Sequence, residues 1–428
     1  MKNLNLIYNK FLETKKICID SRKDCQNSIF FAIQGDNFNG NKYASEAIKK
    51  GAVLAIIDDK KYIKNKKYVL VKNSLKCLQQ LAKLHKKKSN FKVIAITGTN
   101  GKTTTKEIIY NILKSKFQVS ATKGNLNNHI GVPLTILSAI NTKQKFLIVE
   151  MGANHKNEIK KLCEIADPEY GIITNIGKAH LKGFKSEKNI LIAKKELYDY
   201  IKKIKGRIFI NKSDIKLNKI SKNINKIYYN SENIILNKIT NNPFLTIELI
   251  INNNIHKIKT KFIGEYNVNN ILAGICVGDF FNINMKKILK SITEYKPKIN
   301  RSQLIKTSKK NTIILDAYNA NPTSMHASIH SFNKIKTRKG KIVIIGDMME
   351  LGDATKKEHF NVIEKAEKMN LENIILCGEI FSNLNKKLHS FKRKDDLESF
   401  LKKNEMKNKM ILIKGSRKMK LEDLTKLL

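Results

Sequence analysis

Residues 97–107 read TGTNGKTTTKE, an order of small and cationic residues suited to gripping a phosphate. An apolar run, KVIAIT at 92–97, leads into the segment, and a helical pattern opens at about Lys102. A turn between strand and helix would aim the backbone N–H groups of Gly98, Thr99, Asn100 and Gly101, and the helix N-terminus, at an anion. Lys102 would reach the terminal phosphates of a nucleotide, and the hydroxyl of Thr103 would ligate Mg²⁺. Ile96 stands where the longer phosphate-loop pattern needs its first glycine, so the spacing is the shorter G-x-x-G-K-T.

Three further residues could join that chemistry. Glu150 closes the apolar run FLIVE at 146–150, at the strand end where parallel α/β sheets build their sites. A carboxylate there suits a Mg²⁺ that bridges nucleotide phosphates, although a surface glutamate would look the same. His180, in NIGKAHLKGF, follows another strand end; a lone histidine is more often structural than a ligand, so by itself it leans to the structural reading. Lys194 cannot be told from the many lysines around it. The six cysteines, at 18, 25, 77, 163, 276 and 377, form no C-x-x-C pair and no zinc-spaced cluster, which points to reduced, buried thiols.

The elements that must carry these residues alternate strand-like and helical runs, the mark of an α/β fold. A chain of 428 residues has room for two to four domains. Residues 1–89 form a first unit, ending in the lysine-rich HKKKSN at 85–90, which reads as a polar boundary. Residues 90–298 form a second unit with strands at 92–97, 146–150, 171–175 and 207–211. It includes a β-rich excursion over 212–262 and helices near Asn267–Gly278 and Lys286–Glu294. The Pro-containing EYKPKIN at 294–300 opens a third unit, 299–428, that reads βαβαβ.

Composition narrows the function classes. Lys and Arg total 82 against 37 Asp and Glu, a formal charge of +45, which tempts one toward nucleic acid. Arg, however, occurs only at 22, 207, 301, 338, 393 and 417, while Lys, Asn and Ile are all abundant. An AT-rich genome gives that bias, whereas a nucleic-acid reader favours Arg and clusters its charge. The lysines here run from end to end. A positive field still favours a strongly anionic small substrate. No apolar run reaches membrane-spanning length, and the N-terminus lacks a signal-peptide core, so a soluble cytoplasmic protein without membrane insertion is expected.

Taken together, the motifs resemble those of the Mur ligases, the ATP-dependent amide-forming enzymes of peptidoglycan precursor synthesis. TGTNGKTTTKE is similar to their nucleotide loop. TKGNLNNHIGVPLTIL (122–137), EMGANHKNEI (150–159), LDAYNANPTSM (315–325), IGDMMELG (345–352) and KGSRKM (414–419) resemble the branch that adds D-alanyl-D-alanine to a UDP-N-acetylmuramoyl-tripeptide. The resemblance runs in order along essentially the whole chain. It implies three domains, with a central P-loop-type ATPase domain and a C-terminal Rossmann-like domain that closes over ATP and binds the dipeptide.

The resemblance also implies roles by position. Ser21 and Arg22 would hold the UDP-sugar. Gly98, Thr99, Asn100, Gly101, Lys102, Thr103 and Thr104 would grip ATP and Mg²⁺, with Glu150 a metal ligand and His180 serving a second Mg²⁺. Lys194 matches a lysine that family members carbamylate with CO₂, which would make it an anionic metal ligand. Asn267 and Asn270 would bind adenine, and Asn125 and Asn128 would lie along the peptidyl substrate. Arg301 and Asp316 would reach the nucleotide, and Asn319 and Asn321 would face the dipeptide. Lys102, His180 and Lys194 are the expected catalytic residues, in a monomer with no nucleic-acid partner. Three positions depart from the family: Tyr266 replaces a usual His, Asn300 a usual Gly, and Lys195 a usual Gly, laying a further cation beside the metals.

Overall fold

The computed structural model describes residues 2–231, 234–251, 253–297, 300–369, 371–385 and 387–428. The expected boundary at 298/299 lies outside the described residues.

The chain builds three α/β layers in sequence. The first is a four-stranded parallel sheet, Ile17–Cys18, Ile29–Phe31, Leu54–Ile57 and Tyr68–Leu70, paired in chain order. Helix Lys2–Thr14, which is not among the expected elements, buries Ile7, Tyr8 and Phe11 in the core. Helix Ser74–Lys88 starts where the side chain of Asn73 accepts from the Lys76 amide.

The lysine-rich end of that helix is exposed at Lys87 and Lys88 but buried at His85 and Lys86. His85 is buried with Nε2 3.0 Å from the Ala139 carbonyl, and Lys86 donates to Phe91 O at 3.1 Å and Glu169 Oε1 at 3.0 Å. The aliphatic stem of a lysine can be buried when its ammonium finds such partners, and a reading of charge density alone misses this.

The central sheet is six-stranded and parallel throughout. Its order is Asn225–Tyr229, Arg207–Asn211, Tyr170–Ile173, Lys92–Thr97, Phe146–Glu150, Val119–Ala121. Helices on both faces bury its middle strands completely, which is why KVIAIT and FLIVE are continuous rather than alternating apolar runs. Part of the expected excursion over 212–262 belongs to this layer. Helix Ile215–Ile220 and strand Asn225–Tyr229 come first, and only then do Ile234–Asn241, Phe244–Ile251 and Asn254–Ile263 form a separate antiparallel sheet.

The third sheet runs Gln303–Lys306, Thr312–Asp316, Met410–Lys414, Lys341–Gly346, Asn373–Cys377, His389–Phe391. The expected βαβαβ elements are its centre. Its two edge strands, together with helices Glu379–Leu384 and Lys394–Lys403, are not among the expected elements, although Leu397 and Leu401 sit one helical turn apart and are buried. Among the described residues no helix is long and apolar enough to cross a membrane.

Candidate active site

The phosphate-loop segment sits at the C-terminal end of Lys92–Thr97, in the middle of the central sheet. Its two glycines are required by shape. Gly98 has φ +140° and Gly101 φ +80°, and a Cβ on Gly101 would lie 2.5 Å from Asn270 Oδ1. The neighbouring strand end braces the turn: the Asn100 carbonyl accepts from Thr174 Oγ1 at 2.6 Å and Asn175 Nδ2 at 2.9 Å. Helix Lys102–Leu113 follows, so its N-terminal amides face the same space. Lys102 Nζ folds over the loop and donates to the carbonyls of Gly98 and Thr99 at 2.8 and 2.9 Å. Burial lowers its pKa, and the Glu150 carboxylate opposes that shift.

Glu150 is 3% exposed, which excludes the surface reading. Its carboxylate accepts from Thr103 Oγ1 at 2.8 Å and from Asn127 Nδ2 at 2.9 Å. Behind it lies Lys106, fully buried, donating to Thr122 O at 2.6 Å and standing 3.8 Å from Glu150 Oε2 and 3.2 Å from Glu107 Oε1. Neither Asn127 nor Lys106 was picked out in the sequence. Lys106 follows Lys102 by one helical turn and Asn127 sits inside GNLNN, so position relative to the loop was the available signal.

Arg301 arrives from the segment before the third sheet. Its Nη2 donates to Thr103 Oγ1 at 3.1 Å, and its guanidinium lies 3.8 Å from the centre of the Tyr318 ring. Asn300 has φ +62°, a left-handed conformation that asparagine tolerates, so the usual glycine is dispensable there. Asp316 ends its strand and pairs with Lys414 at 2.6 Å, a lysine 2% exposed that sequence reading also passed over. Asn267 and Asn270 open helix Val268–Phe280: Asn270 Nδ2 donates to Asn267 Oδ1, and Asn270 Oδ1 accepts from Thr105 Oγ1, both at 3.1 Å. Tyr266 bonds Ser302 Oγ through its hydroxyl at 2.6 Å.

His180 has φ +51°, and its Nδ1 pairs with the Glu350 carboxylate from the third unit. Burial lowers its pKa, with Glu350 opposing. Lys194, on helix Glu187–Lys203, is 3% exposed rather than solvated. Burial first, and the Lys102 cation second, push its amine down to about 7. The expected extra cation at Lys195 is not beside it. Lys195 pairs with Asp199 one turn along the helix, because consecutive helical residues do not share a face.

These groups surround a cavity of about 880 Å³. Thr99–Thr104, Asn125, Asn128, Glu150, His180, Asn267, Asn270, Arg301, Asp316 and Asn319 all line it. Lys194 is not among the lining residues, and its Nζ lies 5.7 Å from the centre of the Phe184 ring. Asn321 borders a smaller cavity of about 120 Å³ that shares His180, Asn319 and Arg417 with the first and adds Glu350. Asn128 Oδ1 also accepts from Gly131 N at 2.9 Å, at the start of helix Gly131–Leu137. Ser21 and Arg22 do not join the cavity: Ser21 Oγ donates to Glu46 at 3.1 Å, and Arg22 pairs with Asp20 at 2.9 Å, in the first layer.

Oxygen donors at Thr103 and Glu150 fit a hard divalent cation. Among the described residues no group of three or more His, Cys, Asp or Glu could hold a metal unaided. An ion here would complete its shell with water and phosphate oxygens.

Comparison with known proteins agrees along the whole chain. Residues 13–91 match the model "Mur ligase family, catalytic domain", 96–278 "Mur ligase middle domain", and 300–417 "Mur ligase, glutamate ligase domain". The UDP-N-acetylmuramoyl-tripeptide–D-alanyl-D-alanine ligase of Bacillus subtilis is 32% identical over 96% of this chain and 92% of that one. A crystal structure of MurF from Acinetobacter baumannii superposes with a TM-score of 0.87 at 27% identity, covering 96% of this chain and 93% of the other. The MurF ligase of Thermotoga maritima in complex with ADP gives 0.86 at 25% identity, with 97% of each chain covered.

Proposed function

The chain belongs to the Mur ligase family, and on that footing we propose how its cavity performs the ligation. It is an ATP-dependent, ADP-forming ligase that joins D-alanyl-D-alanine to UDP-N-acetylmuramoyl-tripeptide through an acyl phosphate. The product is the pentapeptide precursor of peptidoglycan. Both substrates and ATP are cytoplasmic metabolites, so the enzyme works there, as a monomer.

A carboxylate is a poor electrophile until one of its oxygens becomes a leaving group. Phosphorylating it brings two anions together, so the site must neutralise charge as the phosphoryl group moves. Lys102, the loop amides and Arg301 do so on the nucleotide side. Mg²⁺, held by Thr103, Glu150 and phosphate oxygens, would supply Lewis-acid charge compensation. His180, with Nδ1 engaged by Glu350, would have Nε2 left for a second ion, and Lys194 would join it as a ligand if carbamylated. Burial supports that last assignment, since an amine whose pKa falls to about 7 has a free lone pair for CO₂.

Asn267 and Asn270 take the adenine, and Asp316 reaches the ribose and phosphates. Asn125 and Asn128 flank the tripeptide, Asn319 and Asn321 flank the dipeptide, and Ser21 and Arg22 hold the UDP end. The same proposal divides the chain into units 1–89, 90–298 and 299–428. The third unit closes over the acyl phosphate to exclude water.

One observation carries this reading: Thr103 Oγ1 meets the Glu150 carboxylate from the second unit and the Arg301 guanidinium from the third at one point. Phosphate release from Mg²⁺-ATP should require both the UDP-muramoyl-tripeptide and D-Ala-D-Ala, with the pentapeptide product seen by mass. Release indifferent to both, or stimulated by polynucleotide, would refute it.

A further inference from the structure

In the first layer, two buried cysteines bracket the loop that carries Ser21 and Arg22. Cys18 ends strand Ile17–Cys18 and Cys25 lies seven residues on, with their sulfurs 2.9 Å apart. An S–S bond is ~2.05 Å, so little movement separates the pair from a disulfide. Among the described residues no other two cysteine sulfurs make contact, and all six thiols are free.

The pair is wired into the loop it brackets. Cys18 donates its S–H to the Asp20 carbonyl at 3.2 Å, and Cys25 points to the same oxygen at 4.0 Å. The Asp20 carboxylate in turn holds Arg22 through both oxygens, at 2.9 and 3.0 Å. Lys50 donates to the Ser21 carbonyl at 2.8 Å, and Ser21 donates to Glu46. Oxidation would remove both S–H donors from the Asp20 carbonyl and tie the ends of the loop together.

We propose that Cys18 and Cys25 are a reversible disulfide site that sets the shape of the 19–24 loop, so that oxidation weakens binding of a uridine diphosphate group there. The binding half rests on the assignment of Ser21 and Arg22 to the UDP end of the substrate. A small peroxide is the oxidant. Cys18, 6% exposed against 0% for Cys25, is the sulfur it reaches. The Cys18 thiol and peroxide give a sulfenic acid and water. The Cys25 sulfur then attacks the sulfenic sulfur, and the departing hydroxyl leaves with the Cys25 proton as a second water. Burial, with the Cys18 thiol adding to it, pushes Cys25 up to about 12, which keeps Cys25 a thiol and leaves the first oxidation to Cys18, while the 2.9 Å separation places it for the second step. A dithiol reductant reverses the bond.

The test treats the full-length protein with hydrogen peroxide, alkylates it in denaturant and maps the thiols by mass. The expected peptide spanning 18–25 is two hydrogens lighter and unalkylated, and dithiothreitol restores both thiols. Cys18→Ser and Cys25→Ser proteins, checked for an unchanged melting temperature, should not form it. Both thiols alkylating after treatment, or ending as sulfinic acids, overturns the site. Calorimetry with UDP as probe should then show affinity about threefold or more weaker for the oxidised wild type. The peroxide-treated serine variants should bind as the untreated protein does. A disulfide that leaves affinity unchanged overturns the control of the loop. Failure of the reduced protein to bind UDP refutes instead the assignment of Ser21 and Arg22, and the mass result stands apart from it.

Discussion

Asn100 and Asn321 form a reciprocal amide pair: Asn321 Nδ2 donates to Asn100 Oδ1 at 2.8 Å, and Asn100 Nδ2 donates back at 3.3 Å. One residue sits in the phosphate loop and the other caps helix Pro322–Lys334, where its Oδ1 also accepts from Ser324 N. A single side chain thus starts a helix in one unit and clasps the nucleotide loop of another.

These two duties can be separated. Asn321→Asp keeps the cap but loses the amide donor, so the melting temperature should hold while kcat/KM for the dipeptide falls about tenfold, roughly one hydrogen bond. Asn321→Ala loses both and should also lower stability by about 1 kcal/mol. Equal stability losses in the two variants would contradict the split. Steady-state kinetics alongside thermal melts decide it.

Glu150 has a different dependence. Glu150→Gln preserves shape but removes the charge that faces Thr103 and helps neutralise buried Lys106. We expect kcat to fall about 10²–10³-fold, the usual scale for losing one preorganised electrostatic group, and the Mg²⁺ concentration for half-activity to rise. A variant with normal Mg²⁺ dependence would remove Glu150 from the metal site.

Arg301 should not tolerate lysine. A lysine cannot both lie flat on Tyr318 and donate to Thr103 as the guanidinium does. Arg301→Lys should raise the KM for ATP about tenfold, the scale of one charge-assisted hydrogen bond, with the melting temperature little changed.

The buried amine of Lys194 has a pH signature in the metal-free protein. Its folded pKa, about 7, lies below the ordinary lysine value of 10.5, so folding disfavours the cation. The resulting penalty is complete below about pH 7 and shrinks as pH rises toward 10.5, because only the unfolded chain then holds the extra proton. Lys194→Met should therefore be more stable than wild type at pH 6, with the advantage narrowing by pH 9. A gap that does not change with pH would show the amine to be solvated.

How far the site could be read beforehand depended on distance along the chain. The phosphate loop was legible because strand, turn and helix are contiguous and their residue types follow from local backbone needs. Glu150 was half legible: its strand end was apparent, but its burial comes from Thr103 and Asn127, which lie elsewhere in the sequence. Lys194 was illegible by composition, since nothing local marks one lysine as desolvated among so many. Asp316 with Lys414 and Arg301 with Tyr318 are likewise made by folding. Within the segment 85–90, only His85 and Lys86 are buried, and nothing local marked Lys86 as the lysine that Glu169 and the Phe91 carbonyl receive.

The strand before the phosphate loop pairs with Tyr170–Ile173, a partner that arrives only after the chain has visited the other side of the sheet. The Thr174 hydroxyl that braces the loop lies 77 positions from Thr97. The nucleotide cradle therefore has no existence as a local fragment, and it appears only once this long-range closure is complete. A nucleotide that needs the finished cradle stabilises the assembled sheet by mass action, so ATP in the refolding buffer should favour the last step of assembly. Proteolytic resistance of the whole central layer should rise with ATP as one unit, with no segment protected ahead of the rest.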